Sequence, residues 1–153
     1  MSTLNLATAT GLEIMQAMLA GIVPMAAIAK VVPMQGVSVS HGALEFSARA
    51  DDTHTNPLGG VHGGFAATVL DSVTGCVTHT VLGAGVGYST IDLHVKMLRA
   101  VPKFVTLKAT AKVINQSSNL VVSEGSLFDP EGRLLAHATA TCMVLHPKAV
   151  MPA

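Results

Sequence analysis

The chain has 153 residues, enough for one domain with a hydrophobic core and too few for two ordinary domains. Hydrophobic residues make up 50% of it and charged residues only 12%, about half the charged share of an average soluble domain. The net charge is zero and there are one Tyr, four Phe and no Trp, which argues against a nucleic-acid partner. So few charges suggest that another subunit covers part of the surface.

The N-terminal part of the chain predicts neither export nor membrane insertion. No positive charge precedes Lys30, so a standard signal peptide is not indicated. The apolar stretch 11–32 is interrupted by Glu13, Gln16 and Pro24, which argues against a membrane span. We therefore expect no membrane partner, and one domain over residues 1–153 with its core at about 35–146.

The cysteines and histidines show no pattern of a metal site. Cys76 and Cys142 match no metal-binding or redox spacing, and we expect two reduced, buried thiols. Reduced thiols favour a cytoplasmic location. The seven histidines include no His-x-x-x-His pair, so no catalytic metal is predicted. The glycines Gly83, Gly85 and Gly87 follow a predicted helix and lack the last spacing of a dinucleotide-binding loop, so no separate cofactor is predicted either.

The first predicted element is a short helix over about residues 11–20. Thr10 and Glu13 have the spacing of a capping box, in which each side chain accepts a hydrogen bond from the other residue's backbone. Further along, residues 44–50 alternate between apolar and polar side chains, which predicts a half-buried strand.

A long helix is predicted from Gly63 to about Val81. Apolar residues recur there every three or four positions, without proline. Alternating patterns at 91–97 and 105–113 predict two strands after it. Two more are predicted at about 120–128 and 133–144, separated by the turn Asp129-Pro130-Glu131-Gly132.

This order of elements predicts an α+β fold. Short connections between the last three strands indicate an antiparallel meander. One long helix can bury its apolar face only if the sheet is wrapped around it, and the short N-terminal helix precedes these elements.

The start of the long helix is the first candidate for chemistry. Gly63 and Gly64 place unsatisfied backbone amides at the positive end of the helix dipole, with no side chain in the way. Such amides can stabilise a carbonyl oxygen that gains negative charge. The alternative is a glycine pair required only for tight packing.

Asp71 is the second candidate. Its neighbours at helical spacing are all small, so the helix has a narrow face that bears a single carboxylate. A carboxylate beside an apolar wall suits a base or a nucleophile. The alternative is that Asp71 only forms hydrogen bonds with a neighbouring loop. Asn56 and His62 precede the helix, where each could act on a substrate or have an ordinary turn or structural role.

Two stretches together resemble a known family. NPLGGVHGGFAATVLD, residues 56–71, and GVGYSTIDLHVKMLRAVP, residues 85–102, are similar to the hotdog-fold acyl-CoA thioesterases of the phenylacetic acid degradation (PaaI-like) group. The resemblance covers about residues 40–145. It implies a hotdog fold and a thioester hydrolase that splits acyl-CoA into a carboxylic acid and coenzyme A.

The resemblance also implies roles for single residues. Asp71 corresponds to the carboxylate that activates water or attacks the thioester, and Gly63 to the residue whose amide polarises the carbonyl. Asn56 corresponds to a residue that orients the carbonyl or the water, and His62 to one with a supporting role. Thr90 falls where relatives have a hydroxyl that assists the water.

One departure concerns the hydroxyl groups. Some relatives have a hydroxyl residue one turn after the carboxylate, where this chain has Gly75. Thr90, Ser72 or Thr74 could replace it. Sequence alternation predicts that Thr90 shares a sheet face with Asp92, His94 and Lys96.

The substrate and subunit predictions are less specific. Arg99, Lys96 and Lys103 are candidates to hold the coenzyme A phosphates, or are plain solvated charges. The resemblance implies a homodimer or homotetramer with sites between subunits. An acyl-thioester hydratase or dehydratase and a non-catalytic acyl-CoA-binding module remain as alternatives.

Overall fold

A computed structural model describes residues 4–147. In chain order the elements are α1 (Gly11–Leu19), a 3-10 turn (Ala27–Lys30), β1 (Met34–Ser40), β2 (Ala43–Ala48), a second 3-10 turn (Asp52–His54), α2 (Gly63–His79), β3 (Gly87–Met97), β4 (Leu107–Gln116), β5 (Leu120–Phe128) and β6 (Leu134–Leu145). No helix in this part of the chain is long and apolar enough to cross a membrane.

The six strands form one sheet in the order β1-β2-β4-β5-β6-β3, and every neighbouring pair is antiparallel. Helix α2 packs across its inner face and contacts strands β2 to β6. The core between helix and sheet includes Val69, Leu70, Val73 and Val77, all fully buried. The predicted α+β hotdog fold is confirmed, as is the meander from β4 to β6.

Helix α1 begins with the predicted capping box. The Glu13 amide donates to Thr10 Oγ1 at 3.3 Å, and the Thr10 amide donates to the Glu13 carboxylate at 2.7 Å. Its first turn packs against the end of α2, since the Gly11 amide donates to Leu82 O at 3.1 Å. A Cβ at position 11 would overlap the His79 carbonyl oxygen, so only glycine allows this approach.

Helix α2 ends at His79, two residues before the predicted Val81. The amides of Thr80 and Val81 donate to carbonyls three residues back, both at 3.2 Å, which tightens the chain beyond the α-helix. Thr80 Oγ1 also accepts from the Gly42 amide at 2.9 Å, so the helix end is attached to the β1–β2 turn.

A bulge in β3 corrects one prediction about the site. Thr90 pairs with Cys142, but the next paired residue, Asp92, lies opposite Thr141, so Ile91 is extra. Tyr88 and Thr90 therefore face α2 before the bulge, whereas the inward positions after it are odd-numbered. Placing Thr90 on the face of Asp92 was wrong, because a one-residue bulge reverses the alternation.

Candidate active site

Among the described residues, the Gly63 amide is a free backbone donor at the start of α2. His62 is the N-cap, and its Nδ1 accepts from the Gly64 amide at 2.8 Å, which places the ring hydrogen on Nε2. The Phe65 amide donates to His62 O at 2.9 Å. Within residues 4–147 the Gly63 amide has no hydrogen-bond acceptor. Gly63, rather than Gly64, therefore presents the amide that a substrate oxygen can approach.

Gly63 opens onto a cavity of about 350 Å³ between the start of α2 and the segment after β3. Met97 is its close neighbour, since a Cβ on Gly63 would lie 2.5 Å from Met97 Sδ. Arg99 lines the same cavity, and its Nη1 donates to Leu134 O at 2.7 Å. The free amide and one guanidinium thus share this cavity.

Asp71 opens onto a different cavity. Eight residues along a helix correspond to about 12 Å, so its carboxylate lies two turns from the Gly63 amide. Asp71 is exposed, and together with Ser72 and Thr90 it lines a cavity of about 210 Å³. Thr90 lies in this position because of the bulge in β3. Within one chain, the carboxylate and the free amide therefore cannot reach the same carbonyl group.

Two residues that the sequence did not indicate line the cavity beside Asp71. Burial raises the pKa of Cys76 to about 11, with the charge of Asp71 adding to the effect. Burial also raises the pKa of Tyr88, and the neighbouring Cys76 thiol contributes. Both groups are therefore protonated at neutral pH. Tyr88 is brought to the helix only by the strand pairing, so no local sequence signal could identify it.

The rest of this cavity is apolar and was also missed. Its other walls come from α1, the loop after it, the first 3-10 turn, β1 and β2, and include Met18, Met25, Met34 and Phe46. These residues have no common spacing in the sequence, and only the fold brings them together.

Asn56 lies in the loop before α2 and outside the lining of both cavities. Its Oδ1 accepts from the Leu58 amide at 2.9 Å, which is an Asx turn. With this oxygen occupied, Nδ2 is the group that can donate to a carbonyl or a water molecule.

The two lysines differ from Arg99 in their surroundings. Lys103 Nζ lies 2.8 Å from the Asp52 carboxylate and 3.4 Å from Gly59 O, so its charge is already paired. Lys96 is exposed and follows Val95, which packs against the core, so it lies on the outer face of β3.

Comparison with known proteins gives a consistent result. A thioesterase superfamily model matches residues 58–136, which contain α2 and β3. A phenylacetic acid degradation-related protein from Ralstonia eutropha is 33% identical, and the match covers 84% of this chain and 98% of that one, with a TM-score of 0.78. No match was found among curated proteins.

Two further solved structures share the fold at lower identity. A thioesterase family protein from Silicibacter pomeroyi is 20% identical over 87% of this chain and 99% of its own, with a TM-score of 0.77. A hypothetical thioesterase protein from Streptococcus pneumoniae, solved with coenzyme A, is 22% identical over 72% of this chain and 87% of its own, with a TM-score of 0.67.

Proposed function

The chain belongs to the thioesterase superfamily, and from this premise we propose that it hydrolyses an acyl-CoA thioester to a carboxylic acid and coenzyme A. The observation that carries the proposal is the free Gly63 amide at the positive end of the helix that also bears the Asp71 carboxylate. The coenzyme A in the Streptococcus pneumoniae protein supports the choice of thioester.

The chemistry needs an oxyanion donor and a base or nucleophile. The Gly63 amide donates a hydrogen bond to the carbonyl oxygen, and such a donor is worth about 3 kcal/mol to the transition state. Asp71 either removes a proton from the attacking water or attacks the carbonyl carbon to form an anhydride that water then hydrolyses. In both routes the C–S bond breaks and the coenzyme A sulfur takes up a proton. No cofactor takes part.

Two copies of the chain are needed to complete this site. Ala67 lies halfway between Gly63 and Asp71 on α2, and Ala67 and Thr68 are small enough to let two helices approach closely. A two-fold axis near Ala67 sets the two α2 helices antiparallel, so each Asp71 lies opposite the other copy's Gly63. The homodimer is the minimal active unit, and a homotetramer would repeat it.

The other predicted residues then have defined tasks. Arg99 shares the Gly63 cavity and is best placed to hold a coenzyme A phosphate. Lys103 is less suited because it is paired with Asp52, and Lys96 because it lies on the outer face of β3. Asn56 Nδ2 orients the carbonyl and Thr90 the water. His62 supports the site by accepting the hydrogen bond of the Gly64 amide, which caps the helix. The cytoplasmic location stays a prediction.

Release of thiol from a panel of acyl-CoAs tests the reaction. We expect turnover by the wild type and at least a 100-fold loss in Asp71→Asn. Glu131→Gln, in the exposed β5–β6 turn, is the matched control and should keep full activity. Unchanged activity in Asp71→Asn would contradict the mechanism. Loss of the enoyl absorbance of crotonyl-CoA without thiol would indicate a hydratase, and binding without turnover a non-catalytic module.

Mixing two impaired variants tests the shared site. In a heterodimer of Asp71→Asn and Gly63→Ala, one of the two sites combines an intact Asp71 with an intact Gly63. Random exchange of equal amounts should therefore restore about a quarter of wild-type activity. No recovery, despite subunit exchange shown by mass spectrometry, would place the complete site within one chain.

A further inference from the structure

The cavity of about 210 Å³ beside Asp71 has two chemically different sides. The polar groups that line it come from α2 and β3, whereas the apolar side is built from the segment before α2. Met34 and Phe46 are 7% and 1% exposed and close its inner end, while Ile28 is 45% exposed and lies at the rim. Asp71 is the only charged residue among the lining residues that the structure describes.

The apolar side is supplied by a part of the chain outside the matched family domain. Met18, Met25, Ala29 and Met34 all precede residue 58, where the match begins. Hydrogen bonds hold this segment in place, including one between His54 Nε2 and Val31 O at 2.7 Å. Methionine side chains are flexible and polarisable, and they adapt to apolar groups of different shape.

We infer that this cavity binds the acyl group of the substrate, and that the segment from Met18 to Met34 limits this group to short or medium-length apolar acyl chains. The inference rests on the proposed thioesterase function, because the carbonyl must lie at Asp71 for the acyl chain to enter behind it. An acyl group with a second carboxylate would have no cationic side chain to pair with among the described lining residues. Each methylene that leaves water for such a wall improves binding about fourfold.

The volume sets the expected limit. At about 30 Å³ for a water-sized group, the cavity holds roughly seven such groups. Octanoyl and phenylacetyl groups should therefore fit, and a palmitoyl group should not. The value of kcat/KM should rise from acetyl-CoA to octanoyl-CoA and be at least tenfold lower for palmitoyl-CoA and succinyl-CoA.

Variants of the wall that act in opposite directions test this inference. Ala29→Phe fills the cavity and should lower kcat/KM at least tenfold for octanoyl-CoA but less than threefold for acetyl-CoA. Met18→Ala and Met25→Ala enlarge it and should shift the preference toward longer chains. Met143→Ala is the control, because Met143 is 42% exposed on β6 and outside the cavity.

The outcomes separate this inference from the proposed function. A wild type that hydrolyses acyl-CoAs, with a chain-length preference that none of the three wall variants moves, overturns the acyl assignment alone. An equal loss for acetyl-CoA and octanoyl-CoA in Ala29→Phe also overturns it, because the cavity would then hold a part common to all substrates. A wild type that releases no thiol from any acyl-CoA overturns both.

Discussion

The ring of Tyr88 lies so close to Gly75 that a Cβ at position 75 would be 3.0 Å from Tyr88 Cε2 and 3.2 Å from its hydroxyl oxygen. The three atoms nearest to that Cβ position all belong to Tyr88. This contact joins α2 to β3 one turn beyond Asp71. The glycine, which costs a helix about 1 kcal/mol relative to alanine, is therefore required by the packing of this ring.

Gly75→Ala is expected to destabilise the protein by about 1 kcal/mol, because overpacking costs about 1–3 kcal/mol and the helix gains at most about 1 kcal/mol. In a Tyr88→Ala background the same change should stabilise by up to about 1 kcal/mol. Urea denaturation of the four proteins measures both effects. A stabilising Gly75→Ala in the wild type would contradict the close contact.

Gly63→Ala and Gly64→Ala should separate activity from stability. At Gly63 the new Cβ meets only the Met97 thioether, whose side chain is flexible and 56% exposed, so stability should change by less than about 0.5 kcal/mol. The displaced thioether then crowds the free amide, and kcat/KM should fall at least tenfold.

Gly64→Ala should lose stability and keep most of its kcat/KM, the reverse of Gly63→Ala. Its Cβ would lie 2.9 Å from His62 Nδ1, so the cap is displaced and about 1 kcal/mol of stability is lost. Thermal denaturation and thiol release, measured on both variants, provide the comparison. A large loss of stability in Gly63→Ala would show that this glycine serves packing.

The role of His62 can be separated into cap and chemistry. His62→Ala removes the cap and should cost about 1 kcal/mol, whereas His62→Asn keeps a good N-cap and should be nearly as stable as the wild type. If His62 acts only through the cap, His62→Asn also keeps most of kcat. A stable but inactive His62→Asn would instead place the imidazole in the reaction.

Local features of the fold were predictable from the sequence, and non-local ones were not. The α1 capping box and the strand Leu120–Phe128 depend on residues adjacent in the chain, and they were found at the predicted positions. The bulge at Ile91 depends on how β3 pairs with β6, and a regular alternation of side chains conceals it.

The candidate site shows the same division. The position of Gly63 at the helix start could be predicted, because helix periodicity begins there. The hydrogen bond from the Gly64 amide to His62 depends on the His62 rotamer, and the cavity wall includes Met18 and Met34, which are distant in sequence. Neither leaves a pattern that can be recognised without the three-dimensional structure.

The β5–β6 turn should make the protein sensitive to acid. Burial opposes ionisation of Asp129, but hydrogen bonds from the Glu131 and Arg133 amides and the Arg133 guanidinium, at 2.6 Å, lower its pKa below 3.8. A lowered pKa means that the stabilisation is present above the ordinary Asp range and is lost as the pH falls through the folded-state value.

Asp129→Asn should therefore be less stable than the wild type at pH 7, with a difference that shrinks as the pH falls below about 4. Denaturant titrations between pH 3 and pH 7 measure this. Glu131→Gln, whose exposed carboxylate lies 3.5 Å from Arg133, is the control and should change little at any pH. A difference that does not vary with pH would contradict the ionised pair.

Alkylation of Cys76 reports on the cavity beside Asp71. Its pKa of about 11, against an ordinary 9.0, lowers the thiolate fraction at pH 8 about 100-fold. Only the thiolate reacts with an alkylating reagent. Iodoacetamide should therefore modify Cys76 at least 100-fold more slowly in the folded protein than in urea, and the rate should rise about tenfold per pH unit toward pH 10. Peptide mass spectrometry distinguishes Cys76 from Cys142. Labelling as fast as in urea would mean that the thiol, and with it this side of the cavity, is open to solvent.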